Sequence, residues 1–227
     1  HTVPLAAWSG TGKSTCGGEI ATQSVGHHQT VGSRALEESV KRTGFRLMTV
    51  AANKPLHLAN QIDEQLFRRS FDSTLGSGRL FLRDGFGSCD PDSLLNDIRY
   101  LVKTNGVQWV ILDHLSILLS GNENQDERKT IDLTMTKLRS FVEETGIGML
   151  LISHLRRPQG DKGFEDGATV TLNSLRGSQA IAQLSDLVIA LERDIQSGDN
   201  ASNLVVLKIR FHGRTGPAAA LAYGQDT

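Results

Sequence analysis

Apolar and polar positions alternate along this chain in two rhythms. Short apolar runs mark strands; longer stretches with an apolar residue every third or fourth position mark helices. VPLAAW, Val3 to Trp8, predicts a first strand leading into a glycine-rich loop, and Thr15 to Ser24 predicts a helix that starts there. VQWVILDH, Val107 to His114, predicts a buried strand that ends in a carboxylate. Beyond a polar loop, Ile131, Met135, Leu138 and Val142 share one helical face, with Asp126 placed to cap the helix and Gly146 to stop it. IGMLLIS, Ile147 to Ser153, and DLVIAL, Asp186 to Leu191, predict two further buried strands. In NLVVLKIRF the period of two puts Lys208 and Arg210 on one face. Strands alternating with helices predict an α/β fold, a mostly parallel central sheet flanked by helices. VGSRALEES, Val31 to Ser39, stands where a second strand belongs but is weakly apolar. RRPQGDKGFEDGATV, Arg156 to Val170, has no apolar period and predicts a long polar loop, a kind that tends to carry function in a compact domain.

The 227 residues suit a single domain spanning 1–227, and the start at His1 without methionine suggests a fragment. The formal charge of −1 gives no global basic field, which leaves room for a local basic channel. Cys16 and Cys89 lie far apart, in no metal-like spacing, and suit a reducing, cytoplasmic compartment with structural thiols. The histidines form no metal pattern, and His27-His28 reads as solvated loop. No run approaches the ~20 apolar residues of a membrane helix, and no signal peptide is expected. A membrane partner is therefore not expected.

The chemistry concentrates in AWSGTGKST, Ala7 to Thr15. The phosphate-loop pattern is G-x-x-x-x-G-K-S/T. Gly12, Lys13 and Ser14 complete its second half, Gly10 lies inside it, and Ala7 replaces the first glycine. Backbone N–H groups of Ser9, Gly10, Thr11, Gly12, Lys13, Ser14 and Thr15, with the following helix N-terminus, favour anions. Lys13 supplies charge to the outer phosphates, and the Ser14 hydroxyl is a ligand for Mg²⁺. An alanine at position 7 is costly only if the backbone there needs positive φ. Asp113, closing its strand, fits the second carboxylate of the magnesium shell. Glu37 and Glu38 are rivals for the base that activates water, and spacing alone does not separate them. His154, after IGMLLIS, faces the crevice at the carboxyl ends of the strands, where it could sense the γ-phosphate.

SGTGKST, LEES, VILDHLSILLS, DERKTIDLTMTKLRSF, ISHL, SLRGSQAIAQLSD, IALER and KIRFHGRTG occur in that order. Together they resemble the ring helicase domain of the primase-helicases of T-seven-like bacteriophages, in the RecA-like DnaB superfamily that includes Twinkle. The resemblance runs from Ser9 to Tyr223. It implies a RecA-like P-loop NTPase fold, with Glu37 as base, Asp113 as Walker B carboxylate, His154 as γ-phosphate sensor and Arg210 as the arginine finger of a neighbouring subunit. It implies that Lys208 joins Arg210 in a K-x-R pattern, and that Arg193 and Tyr223 sandwich the nucleotide base. The loop after His154 resembles the family's central-channel DNA loop. Arg156 and Lys162 fall on its basic positions, Arg157 adds a charge and Gly160 removes one. The loop has no obvious stacking aromatic except Phe164, so backbone binding without sequence preference is expected.

The implied activity is a replicative helicase: a homo-hexamer that hydrolyses a nucleoside triphosphate, ATP or dTTP, with Mg²⁺. It would move 5′ to 3′ on single-stranded DNA and unwind duplex, with a replicative DNA polymerase as partner, in the cytoplasm of a phage-infected bacterium. A primase domain and linker helix would precede it. The alternative is a RecA-like, DNA-dependent ATPase of recombinase type that does not unwind. A nucleotide-gated module without catalysis would lack Glu37 or Arg210, and a small-molecule kinase would need an arginine-bearing lid, which is not evident.

Overall fold

The computed structural model describes residues 1–56, 63–84, 90–114, 127–156, 163–176, 179–194, 196 and 201–222. The elements run β1 (Thr2–Ala7), α1 (Lys13–Gly26), β2 (Val31–Ala35), α2 (Val40–Ala52), α3 (Glu64–Ser73), β3 (Leu80–Arg83) and α4 (Pro91–Asn105). They continue with β4 (Trp109–Asp113), α5 (Glu127–Thr145), β5 (Gly148–His154), α6 (Gln179–Gln183), β6 (Leu187–Glu192), β7 (Ala201–Ile209) and β8 (Gly216–Ala222). Asp126, Cys89, Arg157, Gly160, Lys162 and Tyr223 lie outside the described residues.

One eight-stranded sheet has the order β3-β2-β4-β5-β1-β6-β7-β8. Its neighbours are parallel from β3 to β6, while β7 and β8 add antiparallel strands at one edge. The central strands alternate strictly. Val110 and Leu112 of β4, with Met149 and Leu151 of β5, face a core built with Leu94 and Ile98 of α4 and Met135, Leu138 and Phe141 of α5. Ile111, Leu150 and Ile152 face the opposite core, with Ala21 and Val25 of α1 and Leu47 of α2. Both faces are thus covered, as buried parallel strands require. The predicted stripe on α5 is the buried one: Ile131, Met135, Leu138 and Val142 are between 0% and 3% exposed.

β2 forms despite its weak apolarity, and all five of its residues are buried. The Arg34 guanidinium donates to Asp97 of α4 at 2.5 Å, so a buried charge is paired rather than excluded. Gly32 leaves room for Val107, which a Cβ there would meet at 3.3 Å. Boundaries move by one or two residues from their expected places: β1 ends at Ala7 rather than Trp8, α1 starts at Lys13 rather than Thr15, and β4 runs over Trp109–Asp113 rather than Val107 to His114. The register levels the carboxyl ends of four strands. Ala7 pairs with His154, Asp113 with Ile152, and Ala35 with Asp113.

Candidate active site

The glycine loop joins the carboxyl end of β1 to the head of α1. Gly10 and Gly12 take φ of 80° and 89°, left-handed conformations that turn the chain into the helix. The Thr11 hydroxyl donates to the Trp8 carbonyl at 2.7 Å and closes the turn. Ala7 is extended within β1 and fully buried, so the missing first glycine costs no backbone strain. The first N–H groups of α1 have no intrahelical acceptor and face the loop, the usual setting for an anion. Lys13 is buried; desolvation lowers its pKa, and the charges of Asp113 and Glu37 oppose that shift. Burial lifts the Cys16 thiol to about 11, with help from Glu19, in keeping with a structural thiol.

Asp113 ends β4 and is buried beside Arg46 of α2, whose Nη1 lies 3.7 Å from Oδ2. Its Oδ1 is buried and has no hydrogen-bond partner among the described residues. An orphaned carboxylate oxygen at this place fits a magnesium shell completed by the Ser14 hydroxyl.

The structure separates Glu37 from Glu38. The Leu36 N–H donates to the Asp113 carbonyl at 2.6 Å, and the Leu36 side chain is buried. That anchor turns Glu38 back onto α2, where Arg46 lies 3.5 Å away and Arg42 4.0 Å. Glu37 turns the other way. Its Oε1 lies 2.5 Å from His114 Nε2 and 3.9 Å from His154 Nε2. The two imidazoles meet edge to face, with ring centroids 4.1 Å apart. Burial lowers the His154 pKa to about 4, with His114, Lys13 and Arg176 adding to the shift and Glu37 opposing it. His154 is therefore a neutral imidazole at neutral pH.

Donor atoms of Glu37, His114 and His154 lie within 4.8 Å of one another. Two ligands on one zinc ion at normal bond lengths stand about 3.3 Å apart. The 2.5 Å contact between Glu37 and His114 is thus a hydrogen bond and not a ligand pair. A cavity of about 530 Å³ opens over this cluster, lined by Trp8, Ser9, Glu37, His114, His154 and Arg176 among others.

The loop after β5 leaves the same edge. Arg156 is exposed, and its N–H donates to the Ser174 carbonyl, while the Arg176 N–H returns to the His154 carbonyl. Together with the Leu155–Leu175 bridge, this clamps the root of the loop to the segment holding Arg176. Phe164 is the one aromatic between Arg156 and Val170. It is 5% exposed and packs on Trp8 with centroids 5.7 Å apart, so it is core and not a free platform for bases. Arg193 follows β6 at the loop edge, where Leu191 pairs with Ala7. Ala222, the last described residue, pairs with Ala201 toward that same edge.

Arg210 stands at the other end of the sheet. Its N–H donates to the Asp186 carbonyl, and the Asp186 N–H donates to the Thr2 carbonyl at the start of β1. The length of β1, roughly 17 Å, separates this level from the glycine loop. Arg210 Nη2 donates to the Gln183 carbonyl and Nη1 lies 3.3 Å from Asp186 Oδ1. Lys208 shares its face as expected, but Nζ is committed to the carbonyls of Ala182, Gln183 and Ser185. Burial, then the neighbouring Arg210, lowers the Lys208 pKa.

Residues 2–226 match the model of the DnaB-like helicase C-terminal domain. The chain belongs to that family. It is 36% identical over 236 residues to the DNA helicase/primase of Enterobacteria phage T3, a match covering 99% of this chain and 41% of that protein. It is 25% identical over 172 residues to a probable plasmid replicative DNA helicase of Chlamydia psittaci, covering 69% of this chain and 37% of that one. The chain thus spans less than half the length of these relatives. Its fold superposes on that of a solved ATPase domain with a TM-score of 0.83 at 19% identity, covering 99% of this chain and 82% of that one. A DnaB-like replicative helicase, described with its interactions with primase, gives 0.85 at 19% identity, covering 100% and 57%. The RecA-like, mostly parallel architecture expected from the sequence is the one found.

Sequence reasoning missed three neighbours of the site in this DnaB-like domain. His114 closes VILDH, Arg176 lies in SLRGS, and Trp8 enters the phosphate loop. Each sits inside or beside a motif already noted. What was missing was the pairing across the fold, which separates His114 from Glu37 by 77 residues.

Proposed function

We propose that this DnaB-like domain is the NTP-driven motor of a replicative DNA helicase, acting as a homo-hexamer on single-stranded DNA. The observation that carries the reading is the division of the site. Loop, base candidate and sensor candidate gather at one end of the sheet, while Arg210 stands at the other, beyond reach of its own loop. A complete site therefore takes Lys13, Ser14, Glu37, Asp113 and His154 from one subunit and Arg210 from the next.

ATP or dTTP lies with its phosphates on residues 9–15 and its base between Arg193 and Tyr223. Ser14 and Asp113 hold Mg²⁺, which when bound neutralises charge on the outer phosphates. Glu37 takes a proton from the attacking water. The water oxygen bonds to the γ-phosphorus as the bond to the bridging oxygen breaks, and the nucleoside diphosphate leaves. Neutral His154 reports the γ-phosphate to the clamped root of the loop bearing Arg156, Arg157 and Lys162. Those cations track the DNA backbone without reading sequence. Movement runs 5′ to 3′, with a replicative DNA polymerase as the partner, in the cytoplasm of an infected bacterium.

The test is Mg²⁺-dependent hydrolysis of ATP and dTTP with and without single-stranded DNA, beside strand displacement from a forked duplex. Strong DNA stimulation and unwinding, both lost in Lys13→Ala, are expected. DNA-stimulated hydrolysis without any unwinding by assembled rings would favour the recombinase-type ATPase instead.

A further inference from the structure

Glu37 is a poor base as it stands on its own segment. Its side chain is 47% exposed, and a half-open glutamate samples many rotamers. His114 is the opposite case. Its side chain is 5% exposed, and it follows directly on the buried Asp113. The ring therefore offers a fixed point from which a mobile carboxylate can be aimed.

We propose that His114 is a positioning residue for hydrolysis, holding Glu37 in line through Nε2 and bracing His154 with the same ring. The ionised carboxylate has no proton to give, so His114 Nε2–H is the donor and Oε1 the acceptor, at 2.5 Å. This leaves Oε2 to receive the proton of the attacking water. The edge-to-face contact with His154 ties the base to the phosphate sensor, so one buried ring orients both. The inference rests on the reading of Glu37 as base.

The test compares Glu37→Gln, His114→Gln and His114→Asn with the parent chain in DNA-stimulated hydrolysis, separating kcat from KM. Glutamine carries an amide donor to where Nε2 stands, and asparagine reaches only as far as Nδ1. His114→Gln is expected to hold kcat within about 3-fold, and His114→Asn to lose about 10- to 100-fold with KM nearly unchanged. A dead Glu37→Gln beside a fast His114→Asn overturns the role of His114 alone, as does a His114→Gln variant as slow as His114→Asn. Hydrolysis that survives Glu37→Gln overturns the base and this inference with it. Imidazole nitrogen NMR decides the matter without a His114 variant. The His114 Nε2 signal is expected to shift in Glu37→Gln, and an unmoved signal overturns the proposal.

Discussion

Gly12 takes a φ of 89° at the head of α1, and a side chain added there meets nothing within 4 Å. The cost of Gly12→Ala is therefore backbone strain, about 1–2 kcal/mol, and it falls on the turn that aims the loop. Ala7 is the reverse case, since it is extended and packed. Ala7→Gly restores the usual loop pattern, yet it is expected to lower stability by about 0.5–1 kcal/mol with no gain in hydrolysis. Urea denaturation and steady-state rates on the two variants check both expectations. His154 gives a pH signature. Its folded pKa is about 4 against an ordinary 6.5, mainly through burial. Between those values the unfolded chain binds a proton that the folded chain refuses. Stability is thus full above pH 6.5 and falls as the pH drops through that window. The slope is at most about 1.4 kcal/mol per pH unit, less for a ring partly open to solvent. The loss of melting temperature between pH 6.5 and 5 is expected to be smaller in His154→Asn than in the parent chain. At this scale the sequence was informative where a residue ends a strand, as Asp113 and His154 do. Spacing alone could not rank Glu37 over Glu38, which only the family resemblance did, because their opposite directions come from the Leu36 anchor and the arginines of α2.

Elements were legible where their apolar period is satisfied within themselves. The stripe on α5 and the runs of β4 and β5 are of this kind, because each buries an unbroken apolar face. β2 is different. VGSRA is buried between β3 and β4 because Asp97, on a helix far along the chain, pairs with Arg34, and because Val107 fills the space over Gly32. No local pattern encodes such a strand. Its stability depends on the pair, so Asp97→Ala is expected to be costly. It leaves the buried Arg34 charge uncompensated and removes the partner of the half-exposed Arg83 as well. Breaking a buried pair by removing one partner costs about 3–5 kcal/mol. The partial exposure of Asp97 places this variant toward the lower end. Arg83→Ala, which removes only the outer contact, is expected to cost about 1 kcal/mol or less. Urea midpoints at neutral pH distinguish the two, and equal midpoints would mean that β2 is held by its apolar neighbours alone.

Across the whole molecule, charge holds Arg210, the proposed finger, at the end of the sheet away from its own glycine loop. Asp186 is the hub. Burial by itself would raise its pKa, but hydrogen bonds from Arg139 and the Thr2 N–H, with the charges of Arg139 and Arg210, hold it below the usual carboxylate range. Arg210 is thereby fixed at the amino end of β1 with a side chain that is 41% exposed. A head-to-tail contact between identical subunits would bring one chain's loop edge to the next chain's Arg210, and such contacts close into rings. This gives a prediction that one subunit alone cannot meet. Lys13→Ala subunits lack a working loop but keep the finger; Arg210→Ala subunits keep the loop but lack the finger. Each is expected to hydrolyse slowly in a pure ring. Mixed rings contain some interfaces where an intact loop meets an intact finger. Their DNA-stimulated rate is expected to exceed the sum of the two pure rates several-fold once light scattering shows that subunits have exchanged. Strictly additive rates in exchanged rings would mean that Arg210 serves its own chain or does not act on nucleotide, and the division of the site between neighbours would fall.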